Sequence, residues 1–205
     1  MCNMFYQKYI KRILDIVVSL LGLCIAAILM WIIAIVIVCS DPGTVIFSQK
    51  RAGMRKNGEE TTFQMYKFRS MWMSTPADIP TSELEHPEAH ITPVGKFLRK
   101  TSLDELPQLV NILRGDMSFV GPRPALYNQE DLLQLRQENG SDLVKPGLFG
   151  WAQMNGRDKL TVEQKAELDG EYVKRMSFWF DCRCLFGSVI GSILQKDIVE
   201  GKQKK

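Results

Sequence analysis

The sequence predicts an α+β chain, mainly helical, with an N-terminal membrane-embedded helix, a short β-hairpin and a set of amphipathic helices. Three observations predict it. Ile16 to Cys39 is apolar except for Ser19 and carries no charge and no proline. Residues on either side of Asn57-Gly58 alternate between apolar and polar, the pattern of two strands joined by a tight turn. Beyond residue 130 the apolar residues recur at helical rather than strand spacing.

The first element is the apolar run. At about 1.5 Å rise per residue it is long enough for the ~30 Å hydrocarbon core of a bilayer. Lys8, Lys11 and Arg12 stand before it and Lys50, Arg51, Arg55 and Lys56 after it. A helix that crosses once normally carries its basic excess on one side. Basic flanks on both sides predict a re-entrant helix with both ends in the cytoplasm. The centre, Ile25 to Trp31, holds no helix breaker, and Gly22 is the one candidate for a bend. Asp41-Pro42-Gly43 ends the segment. The chain therefore divides into a membrane-associated part, 1–42, and a cytoplasmic part at the membrane surface, 43–205.

Thr44–Gln49 and Thr61–Arg69 are the two hairpin strands. Alternation puts Lys67 and Arg69 on one face, an arrangement suited to a diphosphate and equally to a solvated strand face. Residues 75–93 contain four prolines among acids and read as a loop. His86 and His90 lie within it, and Pro87 between them argues against a shared metal. Asp131–Glu138, Thr161–Met176 and Ser177–Lys196 are the later helices. The last bears the stripe Phe178, Cys182, Leu185, Phe186, Val189 and Ile193, which either packs on the core or lies in the membrane interface.

Composition narrows the functional classes. The chain has 205 residues, 24% charged and 45% apolar, with a net charge of +3. That charge, without a dense basic run, excludes a nucleic-acid partner. The five cysteines are odd in number and include no Cys-x-x-Cys, which excludes a disulfide framework and a zinc knuckle.

The chemistry concentrates in Ser102–Pro124. Asp104 and Glu105 open an amphipathic helical pattern, followed by Gly115-Asp116 and the rigid Pro122-Arg123-Pro124. Ser102 and Glu105 have capping-box spacing. In that register Pro107 falls where its missing N–H is wanted. With Asp104 as the cap, Pro107 falls in the permissive first turn, and this second register is the expected one. Asp104 then sits at the positive end of a helix, where anions are stabilised. An ionised carboxylate can attack phosphorus if the target's charge is neutralised by Mg²⁺, Lys or Arg. Two acids in a first turn also serve simply to stabilise the helix. Arg99, Arg123 and Asn155-Gly156-Arg157 add anion donors that favour the chemical reading.

These residues resemble a known family. Lys11-Arg-Ile-Leu-Asp15, Tyr66-Lys-Phe-Arg-Ser-Met71, Ser102-Leu-Asp-Glu-Leu-Pro-Gln-Leu109, Gly115–Pro124, Lys145–Gln153 and Asn155-Gly-Arg157 are similar, in order, to the bacterial sugar transferases. More narrowly, they resemble small monotopic polyprenyl-phosphate phosphoglycosyl transferases. The resemblance implies transfer of sugar-1-phosphate from a UDP-sugar to polyprenyl (undecaprenyl) phosphate, with release of UMP. It implies Mg²⁺, a bacterial inner-membrane location with the catalytic domain facing the cytoplasm, and the start of a surface glycan. It makes Asp104 the nucleophile of a covalent phosphosugar intermediate. Glu105 becomes its dyad partner, with Asp104 and Glu105 as metal ligands. Lys67, Arg69, Arg99, Arg123 and Arg157 become candidates for phosphate or nucleotide contact. UDP-sugar, polyprenyl phosphate and membrane lipid are the implied partners, and an oligomer is left open. One departure stands out: Ala27-Ile28 occupy the place of the family's helix-breaking Ser-Pro. The alternative function is a non-catalytic membrane adaptor of a glycan assembly complex.

Overall fold

The computed structural model describes residues 5–75, 86–156 and 159–193. A π-type turn, Tyr6–Ile10, leads into helix α1, Lys11–Ser40. Strands β1 (Ile46–Ala52) and β2 (Thr62–Phe68) form the expected antiparallel hairpin, closed by the Lys56–Glu59 bridge, with Asn57 and Gly58 both at positive φ. Helices α2 (Pro93–Thr101) and α3 (Gln108–Arg114) follow, joined by a 3₁₀ turn, Leu103–Glu105. Then come β3 (Ser118–Val120), α4 (Glu130–Asn139), β4 (Gly147–Phe149), α5 (Trp151–Met154), α6 (Val162–Arg175) and α7 (Phe178–Ile193). Strands β3 and β4 pair in parallel.

The later helices fall where their periodicity places them. Thr161 caps α6 and Gln164 completes its capping box. The last helix starts as expected, and residues 194–196 of that expectation lie outside the described residues. Helix α2 and the β3–β4 pair are absent from the sequence reading. A three-residue strand is too short to show alternation.

The register around the acid pair differs from both sequence options. Ser102 ends α2 in a left-handed conformation (φ 56°). Asp104 lies in the 3₁₀ turn, and Pro107, not Asp104, is the residue at which α3 begins. The turns are linked by i→i+3 bonds, Leu106 N–H to Leu103 O at 3.3 Å and Val110 N–H to Pro107 O at 3.1 Å. Restarting the helix at Pro107 leaves its missing N–H without consequence.

Helix α1 runs unbroken through Ala27–Ile28. Its most apolar stretch has a mean hydropathy of 3.1 and is only 11% buried. One stripe nevertheless packs on the rest of the protein along nearly its whole length. At the start, Lys11 pairs with Asp181, Arg12 donates to Ile112 O (2.6 Å) and Leu113 O (2.7 Å), and Asp15 accepts from Phe119 N–H (3.0 Å). In the middle, Leu23 joins Met65, Leu109, Ile112, Met117 and Leu148. Near the end, Ile33 and Ile37 pack with Phe68 and Leu98. The opposite face exposes Ile25, Ile28 and Trp31, each more than 70% accessible. A second core, Tyr6, Val120, Val144, Trp151, Tyr172, Met176, Phe180 and Cys184, holds α6 and α7 against β3.

Candidate active site

The hairpin register decides which strand residues reach the acid pair. Cross-strand partners share a face, so Phe47/Lys67, Gln49/Met65 and Arg51/Phe63 all look the same way. Met65 is buried in the core beneath α3, which turns that face toward the acid pair. Asn111 fixes the approach. It is fully buried, accepts from Tyr66 N–H (3.0 Å) and donates to Gln64 O (2.7 Å), so α3 is stitched to the backbone of β2 one residue from Lys67.

Lys67 then spans both acids. Its Nζ lies 2.8 Å from Glu105 Oε1 and 3.8 Å from Asp104 Oδ2. Arg123 approaches from the other side, with Nη2 also 2.8 Å from Glu105 Oε1. Arg99 donates from Nε to Ser70 Oγ (2.9 Å), and its charge acts on Asp104. The site therefore unites Asp104, Glu105, Lys67, Arg99 and Arg123. Arg69 is placed elsewhere. The strand ends at Phe68, and the Arg69 guanidinium turns back to the backbone carbonyl and carboxylate of Asp41, bracing the exit from α1. Arg157 lies outside the described residues.

The two acids have opposite electrostatic environments. Burial pushes the Glu105 carboxyl up, but the charges and hydrogen bonds of Lys67 and Arg123 outweigh it and hold Glu105 well below the usual carboxylate range. Burial pushes Asp104 up, and there it prevails: Lys67, Arg99 and Arg123 pull down, while neighbouring Glu105 adds to the rise. Adjacent groups driven apart in this way characterise sites where two carboxylates have different tasks. Glu105 is a fixed anion that organises two cations. Asp104 is the more basic carboxylate, only 7% exposed, with the Lys67 ammonium 3.8 Å away.

No cluster of three metal-ligating side chains occurs among the described residues. Mg²⁺ does not require one, since it is commonly held by one or two carboxylates plus substrate phosphate and water. With Glu105 Oε1 already shared by Lys67 and Arg123, the donors left for such an ion are the Asp104 oxygens and Glu105 Oε2.

Two contributors escape a residue-by-residue reading. Asn111 carries no local signal, because its partners are 45 and 47 residues away. Arg51 does carry one: with the turn placed at Asn57-Gly58, period two puts it on the Lys67 face. Burial pulls Arg51 down to about 10, with Arg123 acting in the same direction and Glu105 against it, so its charge belongs to this cluster.

A family model described as bacterial sugar transferase matches residues 6–195. Similar proteins include the UDP-glucose:undecaprenyl-phosphate glucose-1-phosphate transferase of Escherichia coli (strain K12), 40% identical over 199 residues that cover 93% of this chain and 41% of that protein. The undecaprenyl-phosphate galactose phosphotransferase of Salmonella typhimurium is 38% identical over 197 residues, covering 88% and 40%. The uncharacterized sugar transferase EpsL of Bacillus subtilis is 38% identical over 176 residues, covering 86% and 83%. The chain thus spans about two fifths of the length of the first two. By the extent of the match, the chain belongs to the bacterial sugar transferase family.

Proposed function

We propose that the protein is a phosphoglycosyl transferase that moves a sugar-1-phosphate from a UDP-sugar to polyprenyl phosphate. The observation that carries this reading is the buried, relatively basic Asp104 beside a Glu105 anion that gathers Lys67 and Arg123. Relatives that cover nearly the whole of this chain are named for transfer of glucose-1-phosphate or for galactose phosphotransfer, so a hexose is the expected cargo.

Asp104 Oδ attacks the sugar-bearing phosphorus of the UDP-sugar. The bond from that phosphorus to the bridging oxygen breaks, and UMP leaves with the oxygen and its electron pair. An oxygen of polyprenyl phosphate then attacks the same phosphorus. The Asp104 carboxylate is released and a polyprenyl-diphosphate sugar forms. Lys67 and Arg123, held together by Glu105, neutralise the phosphoryl oxygens as charge shifts onto them. Asp104 and Glu105 are the residues that would hold a Mg²⁺, which would supply further neutralisation of phosphate charge. The product opens assembly of a surface glycan.

The lipid co-substrate requires the site to sit at a membrane, and α1 supplies the anchor. Both ends of α1 touch the same folded unit, Lys11 and Asp15 at one end and Ile33 and Ile37 at the other. These positions are about 39 Å apart along the helix at its regular rise. A simple crossing would drag that unit through the bilayer. Monotopic attachment, with Ile25, Ile28 and Trp31 toward lipid, agrees with the contacts and with the basic flanks on both sides.

A screen of UDP-sugars for UMP release, with polyprenyl phosphate and Mg²⁺, tests the reaction. At least one sugar should give a lipid-linked product, and Asp104→Asn should give none. No product with any sugar would leave the adaptor role in its place. Topology is tested with Asn3→Cys in a chain stripped of native cysteines, where an impermeant thiol reagent added to intact cells should not label it.

A further inference from the structure

The Gly121–Ala125 segment presents Arg123 to Glu105, yet it belongs to no helix or sheet interior. Prolines at 122 and 124 remove two of its N–H groups, so the segment chiefly accepts hydrogen bonds. Every residue in it is buried except Arg123. Buried carbonyls need donors, and each carbonyl from Pro122 to Ala125 has one from outside the segment. Gly147 N–H serves Pro122 O (2.8 Å) and Ala52 N–H serves Ala125 O (3.0 Å). The two in the middle are served by side chains. Arg136 Nη2 donates to Arg123 O at 3.0 Å, and Arg51 Nη1 donates to Pro124 O at 3.1 Å.

We propose that Arg51 and Arg136 are positioning residues that grip the carbonyls of Arg123 and Pro124 and so aim the Arg123 guanidinium at the acid pair. Arg136 is itself locked from α6, where Asp169 accepts from its Nε (3.0 Å) and Nη2 (2.6 Å), and both side chains are almost wholly buried. Arg51 comes from β1, the strand paired with the one that carries Lys67. One hairpin thus sets Lys67 directly and Arg123 through its backbone. Neither gripping arginine needs to touch substrate. Held carbonyls fix the peptide planes on either side of Pro124, and with them the ψ of Arg123 beside a proline φ already set by its ring, so that a side chain 43% exposed keeps its reach to Glu105. Backbone donors alone would satisfy the carbonyls. Two forked guanidinium groups also hold their orientation, which is what a site built for a fixed phosphoryl geometry requires.

The inference rests on the transfer reaction proposed above, and a double-mutant cycle read by UMP release separates the two. Arg123→Ala should lower kcat/KM about a hundredfold, the scale of losing one charge-stabilising donor. Arg51→Gln should lower it about tenfold, the scale of one charge-assisted hydrogen bond. If Arg51 acts through Arg123, the double variant should be no worse than Arg123→Ala alone. Arg51→Lys, which keeps the charge and one donor, should recover part of the loss. A double variant about a thousandfold down, with no recovery by lysine, overturns the proposal and leaves Arg51 a stability residue. Should Arg51→Gln not accumulate in folded form, Arg136→Lys takes its place in the same cycle: no further loss in the Arg123→Ala background supports the proposal, and a multiplicative loss overturns it. Absence of UMP release from the unmodified protein would instead overturn the reaction.

Discussion

Replacing Lys67 by methionine isolates the electrostatic logic of the site. The substitution keeps the unbranched stem, one atom shorter, and removes an ammonium 2.8 Å from Glu105 Oε1 and 3.8 Å from Asp104 Oδ2. A unit charge at 3.8 Å acts with about 1 kcal/mol in water-like surroundings and about 4 kcal/mol at an effective dielectric of 20. The Lys67 side chain is 21% exposed, which favours the lower half of that range. A loss of about 2 kcal/mol of transition-state stabilisation is about thirtyfold in kcat/KM. The pH profile gives the sharper reading. The proposed attack by Asp104 requires its ionised form. Lys67 pulls its pKa down, so Lys67→Met raises it and moves the acid limb of the rate profile to higher pH. Glu105 pushes Asp104 up, so Glu105→Gln should move that limb to lower pH, though the rate falls in both variants. UMP release measured from pH 5 to 9 for the three proteins decides the matter. Limbs that stay put, or shift in the same direction, refute this division of roles between the acids.

Two further outcomes follow from buried charges. Asp104 has its pKa raised on folding, so its ionised form weakens the fold, and stability declines as pH rises from the ordinary value of 3.8 through the raised one. Asp104→Asn should therefore unfold at a higher temperature than the unmodified protein at pH 8 while remaining inactive; a lower midpoint would contradict the burial argument. Asp181 accepts from Tyr6 Oη (2.7 Å) and Tyr172 Oη (2.8 Å) and pairs with Lys11. Asp181→Asn leaves a buried ammonium without its counter-charge, about 3–5 kcal/mol and roughly 10 °C in Tm, whereas Lys11→Met combined with Asp181→Asn, which removes the ammonium and keeps an acceptor for the two hydroxyls, should recover part of it.

Features that depend on neighbours in sequence were legible before the fold. Asn57-Gly58 announced its turn, and helical spacing announced the helices that the structure places at Glu130–Asn139 and Val162–Arg175. The misreadings share one cause, which is dependence on distant partners. The restart at Pro107 works because α2 ends at a left-handed Ser102 and a 3₁₀ turn intervenes, an arrangement that capping rules applied locally do not weigh. Arg69 shares the parity of Lys67, but the strand stops one residue before it and Asp41 captures it. The β3–β4 pair exists because Gly121 and Gly147 let two backbones meet: a Cβ on Gly147 would stand 2.1 Å from Gly121 N. Nothing near either glycine in sequence names the other.

The polar start of α1 has a consequence for biosynthesis. Lys11 waits for Asp181, 170 residues later, and Asp15 for Phe119, 104 residues later. At synthesis rates of about 5–20 residues per second, the first gap alone lasts roughly ten to thirty seconds. Throughout that interval the ribosome displays a long greasy helix whose charged root has no counterpart. The nascent chain must therefore reach lipid, or be shielded by a chaperone, well before it can fold. Because the partner of Lys11 comes from the last described helix, a chain cut short before α7 would leave that ammonium without its carboxylate while Arg12 and Asp15 keep their contacts.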